Sequence, residues 1–467
     1  MKCFSTKGSP SWNGGSGKAF PAPRACKSCG MHWKRHSQMK PDIRTIQPIS
    51  AARGKVHIPG SKSISHRALI MAALATGRSR ILNALASQDT LLTAKALRSL
   101  GVGIQWDGDT VHVDPPDKRW RSPAEAVMLG NSGTSMRLLP AVAAVGSGRF
   151  VFDGDPRLRE RPVGPIVDGL RQLGVNCRYL MEEGFPPIEI LSEGIEGGNV
   201  VIDARQSSQF LSAILLAAPQ ARRELRVEWQ TPIASYPYVA LTLHMMADAG
   251  IRVDRIDRTR VSVPAPQPYP ALQYTVEGDC SSASYFWAAA AITGGEVFTC
   301  PITRESPQGD RGLLDVLEAM GCRVDWMGRG VRVSGPAFLK PVDVDMNEMP
   351  DMVPTLAGVA AFAAGESRIR NVAHLRVKES DRLQVTALEL RKFQIPVQEL
   401  SDGLVIQGGH VQPPRTPIQA HDDHRIAMTF AVMGLRAPGV VIEGAECVAK
   451  SFPNFWEVFD SLGQTNS

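Results

Sequence analysis

Leu170-Arg-Gln-Leu-Gly174-Val175 reads as the end of a helix, a glycine and the start of an apolar strand, and the chain repeats that phrase six times. The other copies are Leu97-Arg-Ser-Leu-Gly101-Val102, Met246-Ala-Asp-Ala-Gly250-Ile251, Leu317-Glu-Ala-Met-Gly321-Cys322, Leu390-Arg-Lys-Phe-Gln394-Ile395 and Phe459-Asp-Ser-Leu-Gly463. Glycine suits the left-handed residue that closes a helix, and Gln394 tolerates that position at some cost. One such junction is commonplace. Six, at intervals of 73, 76, 71, 73 and 69 residues, predict six copies of an α/β unit far longer than a solenoid repeat. Strand-like triplets such as Arg80-Ile-Leu82, Val111-His-Val113, Phe150-Val-Phe152, Val200-Val-Ile202, Val331-Arg-Val333 and Val440-Val-Ile442 fall around them. Three units to a domain predict two similar domains, and a cleft between domains is a favoured place for a ligand.

Length and composition agree. A chain of 467 residues exceeds what one core serves, and its 43% hydrophobic and 21% charged residues are those of a soluble globular protein. No apolar run reaches the ~18 residues of a membrane span. The net charge of +6 is misleading, because residues 1–45 carry nine Lys or Arg against the single acid Asp42. That stretch holds +8 and the remainder about −2, so a nucleic-acid-binding field is not expected of the globular part. Residues 1–42 form a basic, Gly/Ser/Pro-rich extension expected to be disordered, either faintly like an organelle transit segment or an over-extended start with Met39 as initiator. Cys26-Lys-Ser-Cys29 could join Cys3, His32 and His36 in a zinc site, but a lone CxxC in such a tail is weak. The eight scattered cysteines suggest reduced thiols in the cytoplasm.

Chemistry-bearing residues cluster at small-residue turns. Pro59-Gly-Ser-Lys62-Ser63-Ile-Ser-His-Arg67 leads into the apolar run Ala68–Ala75, with Gly77 as the expected helix stop. Free N–H groups, hydroxyls, Lys62 and Arg67 at one helix start suit a phosphate or carboxylate, although a well-capped basic surface helix reads the same way. Gly130-Asn131-Ser-Gly133-Thr-Ser-Met-Arg137 lets a ligand approach the backbone but matches neither a Walker A loop nor a Rossmann fingerprint. Arg157-Leu-Arg-Glu-Arg161-Pro follows, and Ser207-Ser208-Gln209 opens another apolar helix where simple capping is the plainer reading. In the second half Asp351 sits between prolines at the head of an apolar helix. Lys378, Glu379 and Arg382 share Arg376-Val-Lys-Glu-Ser-Asp-Arg382, with Lys378 and Arg382 on one face if helical. His421-Asp-Asp-His424-Arg425 hints at a metal, with a cation in the way, and Lys450-Ser-Phe-Pro453 closes the series. Eight cations at such sites would repel one another unless polyanions filled the cleft, and domain closure on those anions would follow.

With PGSKSISHRA, GNSGTSMR, RERPVG, SSQFLSA, EGDCSSASYF, RVKESDR, DDHRIAM and AKSFP in that order, the chain resembles the 5-enolpyruvylshikimate-3-phosphate synthase family from about Ile46 to Phe459. The resemblance implies two inverted α/β barrel domains, each of three β-α-β-α-β-β units, with a cleft between them. Residues 43–60 plus 278–467 would form one domain and 61–277 the other. It implies transfer of the enolpyruvyl group of phosphoenolpyruvate to the 5-hydroxyl of shikimate 3-phosphate, by a cytoplasmic monomer with no metal or organic cofactor and no nucleic-acid or membrane partner. By the same resemblance, Lys62 would touch both substrates and Gln209 would lie between them. Ser63, Arg67, Ser207, Ser208, Ser235, Tyr238, Asp351 and Lys378 would hold shikimate 3-phosphate. Asn131, Gly133, Arg137, Arg161, Arg382, Arg425 and Lys450 would serve phosphoenolpyruvate. Asp351 would be the base and Glu379 the acid, two carboxylates in unlike surroundings.

Two departures stand out: His374 where many relatives carry Asn, and Leu138 where many carry Pro. Glyphosate is expected to compete with phosphoenolpyruvate beside Gly133. The related amino-sugar enolpyruvyl transferases use a reactive cysteine in a loop after the first Arg motif. Residues 131–176 contain none, and Asp155 stands near that place. A non-catalytic protein binding through its basic tail is the remaining rival, and the complete acid, base and cation set argues against it.

Overall fold

Five of the six junctions adopt the conformation their residues suit. Gly101, Gly174, Gly250 and Gly321 have φ of 102°, 82°, 75° and 104°, and Gln394 reaches 62° without being glycine. The computed structural model describes residues 42–116 and 120–463, so the expectations for the extension and its CxxC lie outside the described residues. Each junction closes an outer helix: Gln88–Ser99, Gly164–Gln172, Pro237–Asp248, Leu313–Ala319, Arg382–Lys392 and Phe455–Asp460. None of the described helices is long and apolar enough to cross a membrane.

Among the described residues six small sheets follow one plan. A strand runs parallel to its neighbour, which is antiparallel to a third that pairs antiparallel with a fourth. In one sheet Gly198–Ile202 lies parallel to Leu225–Trp229, which pairs with Arg260–Val263 and through it with Asp254–Arg255. Among the described residues the last sheet has three strands and takes Ile43–Thr45 from early in the chain. Under the sheets lie six inner helices, Lys62–Ala73, Gly133–Ala143, Gln209–Ala217, Cys280–Thr293, Val353–Ala360 and His424–Gly434. They are buried on nearly every face, which their Ala, Leu, Ile and Val content permits.

Buried apolar side chains fall into two clusters, one drawn from residues 64–276 and one from 46–58 with 280–462. The chain passes between them twice. Arg53–His57 pairs in parallel with Glu296–Cys300, whereas Gln273–Thr275 comes back to pair with the strand Ser79–Leu82. At the crossing Gly60 and Gly278 form a bridge, Ser61 N–H donates to Glu277 O at 2.8 Å and Asp279 N–H to Pro59 O at 2.9 Å. The strands are tight there. A Cβ on Gly60 would stand 1.9 Å from the Asn83 carbonyl oxygen.

Some local expectations need correction. The helix at Lys62 ends at Ala73 with Leu74 right-handed, short of Gly77, because Ala75 is drawn into a parallel bridge with Tyr269. Lys378 and Arg382 do not share a helix: Lys378 follows the turn Ala373–Val377 in extended conformation, and Arg382 begins the next helix under the Asp381 cap. Val440 lies just outside its strand, Val441–Glu443.

Candidate active site

Five of the six inner helices point their N-termini at one pocket. Lys62 and Ser63 begin the first, Thr134 and Arg137 lie at the start of the second, and Gln209 opens the third. From the other core, Asp351 sits in the tight turn Pro350–Met352 that runs into Val353–Ala360, and Arg425 is the second residue of His424–Gly434. Unpaired N–H groups and aligned peptide dipoles at these ends favour an anion. Arg161, Ser207, Ser208, Ser235, Tyr238, Lys378, Glu379 and Arg382 complete the wall with Pro350. Of the sequence candidates, Arg67, Asn131, Gly133 and Lys450 do not line it.

Each of those four stands close behind. Arg67 is buried, and its guanidinium donates to Thr242 Oγ1 at 2.8 Å, Ser63 O at 3.0 Å, Ser212 Oγ at 3.2 Å and Tyr238 O at 3.0 Å. It braces two lining residues. Lys450 Nζ donates to Asn131 O at 2.8 Å and lies 3.7 Å from Asp89 Oδ1, while Lys62 Nζ is 3.4 Å from Asp89 Oδ2. Gly133 lies under the Arg161 guanidinium, whose Nη2 would be 2.3 Å from an added Cβ.

The cations do not stand bare, contrary to the expectation that only bound polyanions could hold them together. Arg382 is the hub. Its Nη1 donates to Asp351 Oδ1 at 2.9 Å, its Nη2 to Glu379 Oε2 at 2.9 Å and to Asp423 Oδ1 at 3.2 Å, and its Nε to Asp423 Oδ2 at 2.8 Å. Arg425 Nη2 donates to Asp351 Oδ2 at 2.7 Å, and Arg161 lies 3.8 Å from Glu379. Carboxylates within the wall thus supply the counter-charge.

This pairing decides protonation. Burial alone would raise the Asp351 carboxyl, but Arg425, Arg382 and Lys378 hold it far below the ordinary carboxylate range. Glu379 behaves alike: burial opposes ionisation, and Arg382, Arg161, Lys450 and Lys62 overcome it. The two carboxylates therefore share one guanidinium and one charge state, where unlike surroundings were expected. Lys378 goes the other way, since burial lowers its ammonium to about 8 although Asp351 favours the charge.

Tyr238 belongs to a second chain of contacts. Its hydroxyl donates to Asp310 Oδ2 at 3.1 Å, Ser281 Oγ donates to the same oxygen, and Ser281 Oγ lies 3.4 Å from Arg425 Nη2. Asp310, pushed up to about 6 by burial and by Asp351, was not read from sequence, and neither was Asp89. Asp89 lies in the first turn of the outer helix Gln88–Ser99 and Asp310 in the short turn Gly309–Gly312, and nothing local there separates a functional acid from a solvated one. Asp423 was read only as part of a metal hint. In the structure His421 Nε2 bonds Glu389 Oε1 at 3.0 Å, while His424 is buried elsewhere and held neutral by its burial and by Lys62 and Arg425. Among the described residues no group of three potential ligands could hold a metal. His374, lowered to about 4 by burial and Lys378, is half-buried, and Leu138 points into the core.

Known proteins resemble this chain in sequence and fold. The sequence profile of EPSP synthase (3-phosphoshikimate 1-carboxyvinyltransferase) matches residues 46–459. A 3-phosphoshikimate 1-carboxyvinyltransferase of Syntrophobacter fumaroxidans is 58% identical, over 90% of this chain and 99% of its own. One from a Sulfurovum species is 44% identical, with 90% and 98% covered. The solved EPSP synthase of Acinetobacter baumannii superposes with a TM-score of 0.76 at 31% identity, covering 91% of this chain and 98% of that one. The chain belongs to the EPSP synthase (3-phosphoshikimate 1-carboxyvinyltransferase) family.

Proposed function

We propose that this protein moves the enolpyruvyl group of phosphoenolpyruvate onto the 5-hydroxyl of shikimate 3-phosphate and releases inorganic phosphate, a step in aromatic amino acid biosynthesis. One observation carries the reading: the N-termini of five inner helices and six cationic side chains (Lys62, Arg137, Arg161, Lys378, Arg382 and Arg425) converge on one pocket with two carboxylates inside it. Two substrates bearing phosphate and carboxylate groups answer that charge. Ser63, Ser207, Ser208, Ser235, Tyr238 and Lys378 are the groups for shikimate 3-phosphate, with Arg67 bracing Ser63 and Tyr238. Arg161, Arg382, Arg425 and Lys450, with Asn131, Gly133 and Arg137, are those for phosphoenolpyruvate. Lys62 and Gln209 serve both.

In this reading the 5-hydroxyl oxygen bonds to C2 of phosphoenolpyruvate, its proton passes to Asp351, and C3 receives a proton from Glu379. Elimination reverses the transfer at C3 as the C2–O bond to phosphate breaks. Arg425 and Arg382 keep Asp351 ionised, and it gains proton affinity as phosphoenolpyruvate draws those arginines away. Glu379 needs a proton first. An incoming phosphoenolpyruvate takes over Arg161 and Arg382, and losing those partners raises the proton affinity of Glu379. Residues 61–277 and 43–60 plus 278–467 are proposed as domains that close around the pair, in a cytoplasmic monomer.

The test is phosphate release from purified protein given both substrates. Release that needs both and disappears in Glu379→Ala supports the assignment. A folded protein that releases none, or that releases phosphate without shikimate 3-phosphate, sinks it.

A further inference from the structure

The peptide carrying Lys378 and Glu379 belongs to no regular element. It lies between the turn Ala373–Val377 and the helix Arg382–Lys392, so its carbonyls lack the ladder that fixes a strand or helix. A side chain from the opposite core holds it. Arg157 is part of the short helix Pro156–Arg159. Its Nη2 donates to the Lys378 carbonyl at 2.9 Å and its Nε to the Glu379 carbonyl at 3.1 Å. The remaining nitrogen donates to Glu160 Oε2 at 2.7 Å, which aims the fork. Two parallel N–H groups on consecutive carbonyls fix the direction of the peptide, and a single donor would leave it free to turn. Arg157 itself does not line the pocket, and its side chain is 37% exposed. It is therefore placed to act through the peptide and not on a substrate.

We propose that Arg157 is a positioning residue for the transfer reaction: spanning the cleft, it clamps the Lys378 and Glu379 carbonyls and so aims the Glu379 carboxyl at the reacting carbon in the closed state. The inference rests on the assignment of Glu379 as proton donor. It predicts that loss of the clamp acts on the transition state more than on substrate capture, because misplacing a catalytic group by about 1 Å can cost on the order of a hundredfold.

The experiment uses the full chain with Arg157→Gln and Arg157→Lys, both checked for unchanged thermal unfolding. The expected result for Arg157→Gln is a parallel fall of about 10- to 100-fold in kcat and in kcat/KM for phosphoenolpyruvate, with KM nearly constant. Guanidinium chloride at a non-denaturing concentration should restore part of that rate, and sodium chloride at equal ionic strength should not. Arg157→Lys should recover less than the guanidinium ion does, having a point charge in place of a fork. Unaltered kcat in the folded Gln variant overturns the proposal. So does a loss confined to KM, which would make Arg157 a mere attractor of anions. Failure of the unaltered protein to release phosphate is a different result, and it would strike the assigned reaction instead.

Discussion

Arg382 serves three carboxylates with one guanidinium, and the partition of its nitrogens matters. Asp423 takes Nε and part of Nη2 and also caps its own helix by accepting from Arg425 N–H at 3.0 Å, so it stays when a ligand arrives. Asp351 and Glu379 hold the outer faces and can yield them to substrate oxygens. A buried guanidinium anchored on one side keeps its aim while its other contacts exchange. Lys378 has no such anchor, and its ammonium, held at about 8, loses its charge as pH rises through that value. The sign follows: an unfolded lysine keeps its proton to about 10.4, so between the two values the folded state binds fewer protons and gains stability with rising pH, while anion binding weakens. Calorimetric titration with shikimate 3-phosphate should show affinity declining above about pH 8, by at most about tenfold per unit, and Lys378→Arg should flatten the profile. A decline that persists in the arginine variant would assign it to another group. Gly133→Ala forces the Arg161 guanidinium aside. Overpacking of this kind costs about 1–3 kcal/mol, so KM for phosphoenolpyruvate should rise on the order of tenfold or more, with glyphosate inhibition weakened alongside. Inhibition kinetics unchanged from the parent protein would refute the packing argument.

At the level of elements, the six junctions were legible because each is local: a helix end, a left-handed residue and a strand start are written in consecutive letters. Gln394 marks where the pattern runs against its chemistry. At φ 62° a non-glycine residue is strained by about 1 kcal/mol, offset only by an exposed contact in which its side chain accepts from Arg415 at 2.9 Å. Gln394→Gly should therefore raise stability by about 0.5–1 kcal/mol in urea denaturation, and a destabilised variant would mean that the Arg415 contact matters more than the strain. The cationic helix starts were equally legible, since Lys62, Arg137 and Arg425 lie beside the small or polar residues that open each inner helix. Their partners were not. Asp89, Asp310 and Asp423 join the cations only after the chain has folded, and no spacing rule links Asp423 to Arg382 or Asp310 to Tyr238. The end of the Lys62 helix was misplaced for a similar reason, because Tyr269 pulls Ala75 away from nearly two hundred residues along the chain.

For the whole molecule, two cores joined by two adjacent crossings make a cleft whose walls come from distant parts of the sequence. Ser235 N–H donates to Asn347 O at 3.1 Å and Asn347 Nδ2 to Ile233 O at 3.0 Å, a further tie across the cleft beside those of Arg157, Lys450 and Tyr238. The described part is closed upon itself from Asp42 onward: the Asp42 carbonyl accepts from Gly444 N–H and its carboxylate from Glu446 N–H, both at 2.8 Å. A protein of residues 42–467 should accordingly release phosphate with the kcat and KM of the full chain, within about twofold. A tenfold loss would give the extension a part in catalysis that none of the described contacts requires.

The exchanged strands also bear on how the protein is made. During synthesis Arg53–His57 emerges about 240 residues before Glu296–Cys300, and Ile43–Thr45 about 400 before Val441–Glu443, so at roughly 5–20 residues per second both wait tens of seconds for a partner. Residues 61–277 can assemble in that interval, because their own returning strand, Gln273–Thr275, arrives first. Nascent chains halted once Gln273–Thr275, but not Glu296–Cys300, has left the ribosome should already resist protease across that half while the leading strands are still cut. The order of translation thereby builds one wall of the cleft on the ribosome and leaves the other to be completed by the last residues to appear.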